Sequence, residues 1–177
     1  DIILSGVGGQ GILSIATVIG WAALDQNLHL KQAEVHGMSQ RGGDVQSNLR
    51  ISTERIWSDL IPKGECDLIL SLEPMEALRY LPWLSKGGWI VTNSTPFVNI
   101  PNYPPVEEIT AELQKIGNVI TLDCDEIAKQ TGSPRSANMV LLGASAAVLE
   151  ILDPEKLREG ITNVFSRKGE KIVEMNI

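Results

Sequence analysis

Hydrophobic and polar positions alternate along this chain in two recurring periods, and the order of those periods predicts the architecture. The apolar run Ile2-Ile3-Leu4 makes Asp1 to Ser5 a strand, and Gln10 to about Gln26 follows as a helix. In that helix Ile12, Ile15, Ala16, Ile19, Ala22 and Ala23 recur at helical spacing, and Leu13, Val18, Trp21 and Leu24 widen the stripe, so it is expected to be covered on more than one side. Leu28 to Val35 is a second predicted strand. Val45, Ser47, Leu49 and Ile51 alternate with Asp44, Gln46, Asn48 and Arg50, the period of a strand with one more polar face. Asp67 to Leu72 and Trp89 to Asn93 are short apolar runs typical of strands buried on both faces.

Punctuation residues divide these segments. Pro74 starts a helix running to about Leu81, because proline fits the first helical turn. Gly87-Gly88 predicts a turn into the strand at Trp89. Ser94 to Pro105 holds four of the nine prolines and predicts an extended surface connection. A helix over Glu107 to Ile116, a strand over Asn118 to Leu122 and a short helix capped by Asp123 come next. Asn138 to Leu152 is a strongly apolar predicted helix. Asp153-Pro154 breaks it and caps another, to about Ser166, and the apolar ending Ile172-Val173, Met175, Ile177 is expected to dock. Strands alternating with helices predict a three-layer α/β/α fold with a mostly parallel, Rossmann-like sheet, and no composition shift divides residues 1–177 into more than one domain.

Composition narrows the function. The formal net charge of −7, with no run of lysine or arginine, argues against nucleic-acid and anionic-membrane partners, which call for a basic face. The longest apolar stretches fall short of the roughly 20 residues of a membrane span. The chain opens inside a predicted strand, so no secretory leader is expected, and Cys66 and Cys124 are the only cysteines, with no C-x-x-C spacing. The expectation is a reducing cytoplasm, and the cysteine spacing speaks against a cluster or zinc site in this chain. With only His29 and His36, no His-rich metal site is expected.

Two stretches carry candidate chemistry. Gly6, Gly8 and Gly11 in Gly6-Val7-Gly8-Gly9-Gln10-Gly11 satisfy the G-x-G-x-x-G spacing between strand and helix. Glycine there permits positive φ and close approach of a ligand, and the free N–H groups at a helix start attract anions. Such a turn also serves simply to join strand to helix, so the spacing alone leaves the ligand open. A nicotinamide dinucleotide would call for an acidic residue at the end of the second strand, about 20 residues on. Glu34 is 23 residues after Gly11 and meets that requirement roughly. Gln10 sets a large hydrogen-bonding side chain at the helix start, where a partner or cofactor could be read. The second stretch is the glycine-rich loop His36 to Gly43. Arg41 could clamp a carboxylate or phosphate, and His36 could donate a proton or a hydrogen bond near neutral pH. Gly42-Gly43 before a strand allows close backbone approach. Asn93 ends a strand, where ligands of open α/β sheets gather, and is equally suited to capping a turn. Ser133 to Asn138 opens the last long helix, so Arg135 or Asn138 could face the same crevice, with Ser136 a candidate cap. No phosphate-binding lysine loop or nucleophile elbow is present.

Taken together, Gly6 to Gly11, Glu34-Val35-His36-Gly37-Met38-Ser39-Gln40-Arg41-Gly42-Gly43 and Val45 to Arg50 resemble the gamma-type domain of 2-oxoacid:ferredoxin oxidoreductases. The His36 to Gly43 wording is most like the beta subunit of the indolepyruvate branch. The resemblance extends through Asp67 to Leu72, Asn93 and Asn138 to Ala144, nearly the whole chain. It implies a subunit of an enzyme that converts a 2-oxoacid, coenzyme A and oxidised ferredoxin to acyl-CoA, carbon dioxide and reduced ferredoxin. Thiamine diphosphate, magnesium and [4Fe-4S] clusters are implied on a larger partner subunit, with ferredoxin engaged through the holoenzyme. This chain has neither a Gly-Asp-Gly…Asn diphosphate motif nor cluster cysteines, so no catalytic or metal residue is assigned to it. Gly8, Gly9, Gln10, Gly11, His36, Ser39, Gln40, Arg41, Gly42, Gly43, Asn93 and Asn138 are the candidates for lining the active-site entrance or seating coenzyme A. The indolepyruvate type is the first expectation. Gamma subunits acting on pyruvate, 2-oxoglutarate or a branched-chain oxoacid, a stand-alone NAD(P)-binding oxidoreductase, and a purely structural module are the alternatives. A homodimer of the isolated chain is compatible with its apolar tail.

Overall fold

The structure, a computed structural model, describes residues 1–36, 42–98 and 100–177, with the side chain of His36 outside the described set. Six strands, β1 (Ile2–Val7), β2 (His29–His36), β3 (Asp44–Ser52), β4 (Cys66–Ser71), β5 (Leu84–Asn93) and β6 (Val119–Leu122), form one sheet in the order β2-β3-β1-β4-β5-β6. The pairs β1–β4, β4–β5 and β5–β6 are parallel. β3 is antiparallel to both of its neighbours, so it alone runs against the other strands of the sheet. The mostly parallel sheet expected from the pattern is present, with a reversed strand inserted beside β1.

Helices cover both faces. α1 (Ile12–Asp25), α4 (Cys124–Gln130), α5 (Ala137–Ser145), α6 (Pro154–Phe165) and the short α7 (Glu170–Glu174) lie with one core, where Leu4, Leu49, Leu70 and Val91 meet Ile15, Ile19 and Leu141. α2 (Pro74–Arg79) and α3 (Val106–Gln114) lie with the other, where Ile3, Ile69 and Ile90 meet Ala77, Ile109 and Leu113. Ile2 and Ile3 enter opposite cores because successive strand side chains point to opposite faces, which is why the inner strands read as continuous apolar runs. α1 packs on the sheet and under α6; at the crossing, a Cβ on Gly160 would lie 3.0 Å from the Val18 carbonyl oxygen. Its wide apolar stripe is thereby explained. Ile172 and Val173 of the tail pack against the same core, as expected of the apolar ending.

Two predicted boundaries move. Gly87-Gly88 does not form a turn before the strand; both glycines lie inside β5, next to an irregularity in its register with β4. A Cβ on Gly88 would sit 2.8 Å from the Cys66 carbonyl oxygen, so the strands pass too closely there for a side chain. The helix expected over Asn138 to Leu152 ends at Ser145. Beyond it the backbone tightens, with Ala146 N–H donating to Gly143 O and Leu152 N–H to Leu149 O, and the turns deliver Leu149 and Leu152 into the core. The capping expectations hold at the two aspartates: Asp123 Oδ1 accepts from Glu126 N–H and Asp153 Oδ1 from Glu155 N–H, each at 2.9 Å.

Candidate functional site

The glycine turn sits at the carboxyl end of β1, between β3 and β4. Its backbone folds back on itself: Gln10 N–H donates to Val7 O at 3.1 Å, and Ser14 N–H to Gly11 O at 3.0 Å. Gly9 has φ +107° and Gly11, the residue capping α1, has φ +88°, both in the left-handed region that favours glycine. Among the described residues no side chain caps α1. The first-turn N–H groups of Ile12 and Leu13 have no helical acceptor, and those of Gly9 and Gly11 have none among the described residues. Four donors without a backbone acceptor among the described residues thus lie in the turn, at the positive end of a helix of 14 residues.

The second candidate loop meets the first. Gly8 N–H donates to Gly43 O at 2.8 Å, and Gly42 N–H to Gly8 O at 3.4 Å, immediately before Asp44 pairs with Val7. A Cβ on Gly42 would meet nothing within 4 Å; its φ of +77°, in the left-handed region, is what calls for glycine there. His36 ends β2 opposite Val45. Ser39, Gln40 and Arg41 lie outside the described residues.

Gln10, Asn93 and Asn138 are placed together around the carboxyl ends of the inner strands, but each amide is engaged internally. Gln10 Oε1 accepts from Val7 N–H at 2.7 Å while its Nε2 donates to Leu72 O at 3.0 Å, joining the ends of β1 and β4. Asn93, 2% exposed, donates to Asp125 Oδ2 at 2.9 Å and accepts from Cys124 N–H at 3.0 Å, joining β5 to the start of α4. That is the turn-capping role. Asn138 Nδ2 donates to Gly11 O at 3.2 Å, joining α5 to α1.

Two clefts open on this cluster. One of about 400 Å³ runs from Gly9 and Gln10 past Leu72 and Asn93 to Asp125 and Arg135, over the carboxyl ends of β1, β4 and β5. The other, of about 610 Å³, lies between Gly9, Gly11 and Ser14 on one side and Arg135, Lys168 and Met175 on the other. The crevice falls where open α/β sheets hold ligands, at the point where successive connections leave for opposite faces. Arg135 borders both clefts, as the Ser133 to Asn138 stretch suggested. Ser136 begins α5, but its hydroxyl donates to Met175 O at 3.0 Å instead of capping the helix. Asp125, Lys168 and the Met175 wall were missed by sequence reasoning. They reach the turn only through the folding of the last third of the chain, and no local spacing marks them.

The electrostatics are simple. Asp123 is held below the usual carboxylate range by the Glu126 N–H that it caps. Burial pushes the Cys66 thiol up to about 11 and the Cys124 thiol up to about 12, so both stay protonated and poorly nucleophilic at neutral pH. They occupy opposite cores. Among the described residues no group of three His, Cys, Asp or Glu side chains converges as a metal site. The residues present do not fit an iron–sulfur cluster, and no electron-transfer step is assigned to them. Glu34 is exposed on β2, with β3 between it and the turn. Two strand spacings, about 10 Å, separate β2 from β1, whereas the dinucleotide fingerprint places its acid on the strand next to the turn. Among the described residues, no helix is long and apolar enough to cross a membrane.

Comparison with known proteins agrees with the family resemblance. Residues 1–177 match the Pyruvate ferredoxin/flavodoxin oxidoreductase family. The chain is 40% identical over 152 residues to Indolepyruvate oxidoreductase subunit IorB of Pyrococcus horikoshii, covering 81% of this chain and 75% of that protein. It is 37% identical over 185 aligned positions to subunit IorB of Methanothermobacter thermautotrophicus, covering 100% of this chain and 92% of that one. Its fold is similar to that of the keto/oxoacid ferredoxin oxidoreductase gamma subunit of Geobacter sulfurreducens, with a TM-score of 0.70 and 27% identity over 99% of this chain and 90% of that one. Sequence and architecture are thus shared from end to end, and the chain belongs to the Pyruvate ferredoxin/flavodoxin oxidoreductase family.

Proposed function

We propose that this chain is the small, non-thiamine subunit of an indolepyruvate-type 2-oxoacid:ferredoxin oxidoreductase, a single gamma-type domain over residues 1–177. The observation that carries the reading is the 37% identity to an IorB subunit sustained over all of this chain and 92% of that protein. In this reading a larger subunit supplies thiamine diphosphate, magnesium and the [4Fe-4S] clusters, and ferredoxin docks on the assembled enzyme. The present chain contributes a wall of the reaction chamber and a seat for coenzyme A. The N–H groups of Gly9, Gly11, Ile12 and Leu13, without acceptors among the described residues, suit a phosphate, and Arg135 and Lys168 across the cleft suit the remaining negative charge. On sequence grounds alone, Arg41 and the rest of the 36–43 loop belong to the same seat. A stand-alone dinucleotide enzyme is disfavoured by the position of Glu34.

The test is reconstitution. Co-expressed with a large thiamine- and cluster-binding subunit of the indolepyruvate type, the chain should copurify in a complex that reduces ferredoxin when given an arylpyruvate and coenzyme A. Arylpyruvates should be turned over with higher kcat/KM than pyruvate or 2-oxoglutarate. Reversing that order would move the chain to another branch of the family. Nicotinamide reduction by the chain alone would abolish the reading.

A further inference from the structure

The glycine turn raises a question that its spacing does not answer: which of its glycines makes room for a ligand, and which makes room for the protein itself. A Cβ on Gly6 would meet Gln10 Oε1 at 2.8 Å. A Cβ on Gly11 would meet Asn138 Nδ2 at 2.7 Å, on a helix 127 residues away along the chain. Two of the glycines that satisfy the fingerprint are therefore accounted for by amide side chains of this chain. At Gly9, which lies outside the fingerprint spacing, a Cβ would meet nothing within 4 Å, and the residue is exposed and borders both clefts.

We propose that Gln10 and Asn138 are positioning residues, a two-amide brace that holds the turn in its anion-receiving shape and leaves Gly9 as the glycine that faces the ligand. Gln10 occupies the Val7 N–H and ties the turn to Leu72 O, so the turn cannot rotate its remaining donors inward. Asn138 holds Gly11 O from the far side, fixing the residue from which α1 starts. Both amides act on the ligand only through backbone groups. This inference rests on the coenzyme A seat proposed above and assigns the residues that shape it.

Gln10→Met and Asn138→Leu keep approximate volume and remove the hydrogen bonds. In the assembled enzyme each should raise the KM for coenzyme A about tenfold, as expected if the receptive turn falls to about a tenth of the population. The kcat and the KM for the arylpyruvate should stay within about twofold of the parent on the same population argument. A coenzyme A KM within about twofold of the parent in both variants would overturn the brace, as would a fall in kcat with every KM unchanged. Should the parent complex show no coenzyme A dependence at all, the seat itself is wrong. The brace is then read separately by amide hydrogen exchange on the full chain. Val7 should exchange at least about a hundredfold faster in Gln10→Met, and unchanged protection would refute the brace by itself.

Discussion

Glu73 is 1% exposed, and among the described residues no cation pairs with it. Its carboxylate is satisfied by donors instead: Glu76 N–H at 2.8 Å, Phe97 N–H at 3.4 Å and the Tyr103 hydroxyl. It thus caps α2 and anchors the proline-rich connection after β5. Burial, then the bond to Glu73 and the charges of Glu73 and Glu76, raise the Tyr103 hydroxyl well above its ordinary value of 10. Burial does the same for Tyr80, pushed up to about 12. A tyrosine that holds its proton more tightly when folded contributes stability in full below pH 10, and that contribution is lost as pH climbs towards the folded value. The buried Cys66 and Cys124 thiols, raised from 9.0, add the same linkage one pH unit earlier. Thermal unfolding should therefore shift little between pH 7 and 8, begin to fall near about pH 9 and fall more steeply above about pH 10. Tyr103→Phe should cost about 1–3 kcal/mol at pH 7, because a buried carboxylate loses a donor. Its slope above about pH 10 should be shallower than the parent's, with Tyr80, Cys66 and Cys124 supplying what remains. Identical slopes in parent and variant would show that Tyr103 is not the linked group. None of this was legible in the sequence, which marked the connection as extended but had no means of pairing Tyr103 with a glutamate 30 residues earlier.

The elements themselves were largely legible, and the exceptions share a cause. Strands buried on both faces and the stripe of α1 announce themselves through apolar period, and caps such as Asp123 and Asp153 through residue type. A glycine, by contrast, signals a turn or a close approach with the same letter. Gly88 proved to be a close approach within β5, and the choice depended on Cys66, a strand away, whereas a Cβ on Gly87 would meet nothing within 4 Å. Likewise, the insertion of antiparallel β3 between β1 and β2 decides whether Glu34 can serve a dinucleotide, and strand order is set by long-range pairing. Gly160 shows the same ambiguity inside a helix. Beyond the Val18 oxygen at 3.0 Å, a Cβ there would lie 3.2 Å from Val18 Cγ1 and 3.3 Å from the Trp21 ring. Gly160→Ala gains roughly 1 kcal/mol of helix propensity against that crowding, so the two effects nearly cancel. Gly160→Val adds two methyl groups with nowhere to go and should cost about 1–3 kcal/mol. Urea unfolding of the pair separates the effects: a valine variant as stable as the alanine one would mean that α6 does not need to approach α1 so closely.

At the scale of the molecule, the sheet is a shared wall between two cores. β1, β4 and β5 send alternate side chains to each, with Leu4, Leu70 and Val91 on one side and Ile3, Ile69 and Ile90 on the other. Neither layer can melt without exposing the reverse face of strands that the other layer needs, so unfolding should be a single event across the chain. The tryptophans are placed to report it. Trp21 packs with the α1–α6 core and Trp83 with the α2–α3 core, where its ring lies 5.8 Å from that of Tyr80. Variants keeping only Trp21 or only Trp83 should give coincident urea transitions by fluorescence, matching far-ultraviolet circular dichroism. Ile69→Ala, at a fully buried position beneath α2, should lower stability by about 2–5 kcal/mol and move both fluorescence transitions together. If only the Trp83 signal moved, the two cores would be separable units, and the single domain proposed for residues 1–177 would have to be divided.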